Sequence, residues 1–269
     1  MSEPTQGPWG SAGGSTPAAP ARDSHRPPDT PQSRLVWNVI STLLLAGMLA
    51  LFMGPIFALG GVLGVLVHET GHVIAMNLLG CGPARIVIIP FLGGAAVPAR
   101  PASTEFKDVL ISLAGPVFGL LAMAPFFLAY ALTGDDIWFG GAFFVAFINL
   151  LNLAPAPPLD GSKAIGPVLA RIHPMVERAA LLAVGGAAVW WAMSRGSWIL
   201  AVFLGIGVLG ALRRGDLRPK AVKLSGAQFG FAMLLYIASA ALCLLALAVT
   251  LNGMGEPPTL ASVAKVFSF

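Results

Sequence analysis

Charge is scarce in this sequence. Only 10% of the 269 residues are Asp, Glu, Lys or Arg, while 56% are hydrophobic, and the mean hydropathy is +0.80. Soluble domains carry about 25% charged residues, so the chain is excluded from that class and reads as a membrane protein. Cysteine is almost absent as well. Cys81 and Cys243 stand alone in different apolar surroundings, which excludes a disulfide framework and a CxxC metal site. The surplus of 16 Lys and Arg over 12 Asp and Glu does not call for a nucleic-acid partner here. It matters through the side of a bilayer on which those charges sit.

Residues 1–34 are dense in Pro, Gly, Ser and Thr, lack the apolar core of a signal peptide, and are expected to form a disordered tail. From Leu35 to His68 there are 34 residues without a formal charge, too many for one span of about 20. Gly54-Pro55 breaks the run, predicting helices over 35–53 and 56–79. The β-branched run Ile86-Val87-Ile88-Ile89 and the pair Gly93-Gly94 then predict a hairpin too short to span. Further apolar segments predict helices over 109–134, 137–159, 176–193, 197–212 and 226–250. The expected fold is an all-α polytopic membrane protein with about seven transmembrane helices and a short membrane-associated β-hairpin.

Seven crossings can be tested by charge. With the tail cytoplasmic, the inner segments hold Arg22, Arg26, Arg34, Arg85, Arg100, Lys107, Lys163, Arg171, Arg178, Arg213, Arg214, Arg218, Lys220 and Lys223, leaving only Arg195 and Lys265 outside. Such a bias fits the positive-inside rule, because one miscounted helix would move whole clusters across the membrane. The expectation is a multi-pass protein of a bacterial cell (inner) membrane with a cytoplasmic N-terminus.

Ionisable residues inside a span are costly and therefore informative. The second predicted helix holds His68-Glu69-Thr70-Gly71-His72, the HExxH pattern. Residues four apart share a helix face, so both imidazoles can bind one metal ion, and Glu69, about 100° around the helix, lies beside it. Catalytic zinc sites commonly have three protein ligands. Topology leaves Asp160, His173, Glu105 and Asp108 as candidates for the third, with His173 more simply read as a solvated loop residue. Asp160 closes Asn152-Leu153-Ala154-Pro155-Ala156-Pro157-Pro158-Leu159-Asp160-Gly161, whose prolines break a helix end, a feature tolerated at membrane depth around a protein-lined cavity.

HETGH in a membrane helix, followed by SLAGPVFG and NLAPAPPLDG, resembles the site-2 protease family of intramembrane zinc metalloproteases, over about Leu63 to Ile165. The resemblance implies a three-helix metalloprotease core and one Zn²⁺ per chain. By position, it implies metal ligands His68, His72 and Asp160, general base Glu69, and Asn152 as a residue holding the substrate backbone. Gly115-Pro116-Val117-Phe118-Gly119 matches the family's glycine-spaced helix, also readable as close packing through small residues. Phe91 to Gly94 resembles its membrane-dipping hairpin, whose edge can pair with an extended substrate. The implied organisation is a tail at 1–34, a first transmembrane helix at 35–55, a catalytic core at 56–165, three further transmembrane helices at 166–250 and a short tail at 251–269.

The implied activity is hydrolysis of a peptide bond in a membrane-anchored protein substrate near the cytoplasmic face, by water activated on zinc with Glu69 as base. The partners are that substrate and the lipid bilayer, with no nucleic acid. The rival reading is a metal-binding carrier or catalytically silent scaffold. Carriers commonly show inverted repeats, and neither HETGH nor PLDG has a second copy in the chain.

Overall fold

A computed structural model describes residues 31–89, 93–194, 196, 198–213 and 221–267. Most of these residues are helical: α1 Pro31–Met53, α2 Pro55–Leu78, α3 Glu105–Gly119, α4 Ala124–Thr133, α5 Ile137–Asn152, α6 Asp160–Ile172, α7 Pro174–Ser194, α8 Trp198–Arg213, α9 Gly226–Gly253 and α10 Leu260–Val266. Strands β1 Arg85–Ile89 and β2 Gly93–Val97 pair antiparallel, with Val87 opposite Ala95, as the β-branched run and glycine pair predict.

Five helical segments are long and apolar enough to cross a membrane: Gln32–Met53, Pro55–Leu78, Glu105–Thr133, Pro174–Ser194 and Gly226–Gly253. Helices α5 and α8 fill the other two expected positions but hold 16 residues each, about 24 Å against a hydrocarbon core of about 30 Å. Most of the expected tail, 1–30, lies outside the described residues, but α1 begins at Pro31, before the predicted boundary at 34. The helix predicted over 137–159 ends at Asn152. The stretch 251–269, expected as a plain tail, contains α10, after which Phe267 packs its ring on Phe143, Phe144 and Phe147.

Local chemistry explains the breaks. Between α1 and α2, Gly54 takes φ 92 ahead of Pro55, a left-handed geometry that favours glycine. The 105–133 segment tightens into a 3-10 turn at Leu120–Met123, because Pro125 has no N–H for the Leu121 carbonyl and the amide of Ala124 serves it instead. The side chain of Thr104 caps α3 by accepting the N–H of Lys107 at 3.2 Å. Lys107 Nζ reaches back to the Leu79 carbonyl at 2.8 Å, closing the C-terminal end of α2.

Helix α2 packs on α3, α5 and α1, and close approach depends on glycine. A side chain on Gly60 would place Cβ 2.5 Å from the Gly141 carbonyl of α5, and one on Gly71 would meet the Ala114 carbonyl of α3 at 2.7 Å. Phe57, Phe126, Phe143, Val145 and Leu251 fill the core where α2, α4, α5 and α9 meet. A second cluster, with Val109, Leu113, Ile165 and Cys243, joins α3, α6 and α9. Helix α9, expected to stand outside the region 56–165, packs within both clusters.

Helix α1 holds the hairpin. The Asn38 side-chain amide donates from Nδ2 to the Ile86 carbonyl at 3.0 Å and accepts the Ile88 N–H at 3.2 Å. Peptide groups alternate sides along a strand, so Ile86 and Ile88 face α1. Their register partners Ala96 and Gly94 turn theirs to the opposite edge of the sheet, along β2.

Replacing Gly60 by Leu should push α2 from α5 and lower the stability of the detergent-solubilised protein by about 1–3 kcal/mol. An unchanged thermal unfolding midpoint would show that this approach does not constrain the bundle.

Candidate metal centre

The centre lies where α2, α3, α5 and the start of α6 meet. The HExxH segment sits in the second half of α2, with His68, Glu69 and His72 all buried. The one-turn spacing places the imidazole centroids 4.7 Å apart at an interplanar angle of 84°, and the two Nε2 atoms 3.1 Å apart.

Asp160 completes the group from the other side. Helix α5 ends at Asn152, and its freed Leu153 carbonyl accepts a hydrogen bond from the Tyr236 hydroxyl of α9 at 2.7 Å. The chain turns through Pro155, Pro157 and Pro158, and α6 starts at Asp160 itself, whose carboxylate is favoured at a helix N-terminus. Gly161 lies against the Leu153 and Ala154 carbonyls, where a Cβ would collide with both; the glycine after the aspartate lets α6 seat on the end of α5. As a result Asp160 Oδ2 lies 3.0 Å from Nε2 of both His68 and His72.

His68, His72 and Asp160 form a group that could hold a metal ion. Its three ligand atoms make a triangle with edges of 3.0, 3.0 and 3.1 Å. Tetrahedral bonds of about 2.0–2.1 Å require edges of about 3.3 Å, so small outward shifts would admit an ion. The far sides of the rings fit the same use. His72 Nδ1 lies 2.7 Å from the Ile111 carbonyl and His68 Nδ1 lies 2.9 Å from Asn149 Oδ1. Both partners are acceptors, so both rings carry the proton on Nδ1 and turn an Nε2 lone pair inward. A side chain on Gly115 of α3 would strike the Nε2 edge of His72 and come 2.9 Å from His68 Nε2, so that glycine keeps the ligand triangle clear.

Glu69 sits beside the triangle under the hairpin. A Cβ on Gly94 of β2 would come 2.5 Å from Glu69 Cγ. The carboxylate oxygen Oε2 is buried and among the described residues has no hydrogen-bond partner, leaving an acceptor free one residue from His68. Phe91 and Leu92, part of the predicted hairpin motif, lie outside the described residues; Gly93 and Gly94 are in β2 as expected.

The remaining candidates for a third ligand stand elsewhere. His173 is exposed and its Nδ1 accepts the Met175 N–H at 3.2 Å. Glu105 is 2% exposed and binds Lys223 Nζ and the Leu224 N–H, each at 3.1 Å, which ties the segment before α9 to the start of α3. Asp108 is half-buried in the first turn of α3. Asn152, expected at the substrate backbone, is half-buried and donates from Nδ2 to Ile148 O of its own helix at 3.2 Å. Sequence reasoning missed Asn149. Its signal, an amide inside an apolar helix three residues before Asn152, lay in plain view, but only the tertiary contact links it to His68.

Purified protein should carry about one transition-metal ion per chain by elemental analysis, and both His68→Ala and Asp160→Ala should lose it. Full metal retention in Asp160→Ala would remove Asp160 from the ligand set. No family model, no curated protein and no solved structure matches this chain.

Proposed function

We propose that this chain is a site-2-protease-type intramembrane zinc metalloprotease that hydrolyses a peptide bond of membrane-anchored protein substrates near the cytoplasmic face. One observation carries the reading: a single oxygen of Asp160, 88 residues beyond His72, lies between both HExxH imidazoles, next to a buried glutamate with a free oxygen. Two histidines and a carboxylate are the donor set of many catalytic zinc sites, though other first-row ions accept it. An ion bound there would lower the pKa of its water and polarise the scissile carbonyl.

The chain's own residues supply the rest. His68, His72 and Asp160 would hold the ion, and Glu69 Oε2 would accept a proton from the attacking water and pass it to the departing amine. The outward peptide groups of Gly94 and Ala96 run beside Glu69, so an extended substrate segment adds to β2 with its backbone fixed next to the base. Helical substrates must unwind to do so, since their peptide groups are otherwise used internally. Asn152 takes the substrate backbone on the side of the broken end of α5.

The proposed topology has seven crossings, with α5 and α8 as the short ones, and a cytoplasmic N-terminus in a bacterial inner membrane. In it His72 lies six residues from Leu78, about 9 Å from the end of α2.

The test uses protein reconstituted in liposomes with a panel of single-span peptides bearing helix-breaking residues near one end, products being read by mass spectrometry. Glu69→Gln should keep zinc and cut about 10²–10⁴-fold more slowly. Undiminished cleavage by Glu69→Gln would overturn the mechanism, and metal-ion flux that survives the same change would favour a carrier.

A further inference from the structure

We infer that Asn149 is a positioning residue of the metal centre, acting through His68 and held in place by Gly119. The inference rests on the metal-site reading above and assigns a specific residue the task of fixing one ligand's tautomer and orientation.

Asn149 is fully buried in the last turn of an apolar helix. A carboxamide in that setting is costly unless its polar atoms are satisfied. Its Nδ2 donates to the Val145 carbonyl one turn back at 2.8 Å, which fixes the direction of the amide and leaves Oδ1 as the atom facing His68. That oxygen lies 2.9 Å from His68 Nδ1, across 81 residues of sequence. An acceptor there admits only the Nδ1–H tautomer, so the Nε2 lone pair is committed to the ligand triangle. The same bond stops rotation of the ring about its side-chain torsions.

The position of Asn149 is set from α3. A side chain on Gly119 would collide with Asn149 Oδ1, Cγ and Nδ2. Gly115 and Gly119, one turn apart, thus have separate duties: the first clears the Nε2 edge of His72, and the second clears the amide that steers His68. The glycine spacing of Gly115-Pro116-Val117-Phe118-Gly119 serves the metal centre as well as helix packing.

The two ligands differ in how they are steered. His72 is oriented by the backbone carbonyl of Ile111, which no side-chain substitution removes. His68 is oriented by a side chain, and so its alignment depends on the residue at position 149.

The experiment uses full-length detergent-purified protein and two metals as probes. Zinc affinity is measured by competition with a chromophoric chelator, and Co²⁺ loading reports ligand geometry through its visible bands. Asn149→Ala should bind zinc about 10–100-fold more weakly and shift the Co²⁺ spectrum. Asn149→Asp, which keeps an acceptor oxygen, should restore both. Gly119→Ala, which displaces the amide without touching either histidine, should reproduce the Asn149→Ala spectrum and keeps the test open if Asn149→Ala fails to fold.

Equal loss of affinity in Asn149→Ala and Asn149→Asp, or wild-type affinity and spectrum in Asn149→Ala and Gly119→Ala, would overturn the positioning role while leaving the metal centre standing. Absence of metal binding by the unmodified protein would overturn the metal centre itself and the positioning role with it.

Discussion

Three polar atoms from two distant parts of the chain meet about 3 Å apart inside a largely apolar bundle, and much of the architecture follows from making that meeting tolerable. Imidazoles and carboxylates in a membrane interior are expensive unless they face one another or a protein-lined gap. His68 and His72 come together through helical periodicity alone. Asp160 has to be delivered from the far end of α5, and its delivery explains why α5 stops at Asn152, why prolines follow, and why a glycine succeeds the aspartate. The Tyr236 hydroxyl on the Leu153 carbonyl belongs to the same requirement. A buried helix end leaves carbonyls without partners, and α9 supplies one.

Around the ligand atoms, tolerances are set by what is missing from side chains. Gly71 lets α3 approach the histidine-bearing turn of α2, Gly115 gives the His72 ring its room, and Gly94 lets the hairpin rest on Glu69. These are steric permissions on three different elements around the HExxH turn. Burial and hydrogen bonding then order the site from outside, with Ile111 and Asn149 behind the rings.

Much of this was legible in the sequence because strong signals coincide. Long uncharged runs, one Gly-Pro break and a β-branched run bounded by glycines locate α1, α2 and the hairpin. HExxH specifies its own geometry, since the spacing has one meaning on a helix. Asp160 was narrower ground: elimination left four candidates, and the resemblance of its surrounding motif selected one. Other features were hidden for physical reasons. The amphipathic helix α6 begins inside what reads as a proline-rich turn, and α10 is too short to have a strong period. Asn149 looks like an isolated polar residue until α2 is set against α5. The part played by α9 depends on tertiary contacts, which no local pattern encodes.

The Asn38 amide on β1 has a further consequence for solubility of the sheet. A two-stranded hairpin has two edges, and each presents a row of peptide groups to which another chain can be zipped. At one of them a side chain of α1 occupies the positions of Ile86 and Ile88 that a neighbouring strand would use. The sheet is therefore capped on one flank, can lengthen by addition only along β2, and cannot run on from copy to copy into an open ribbon.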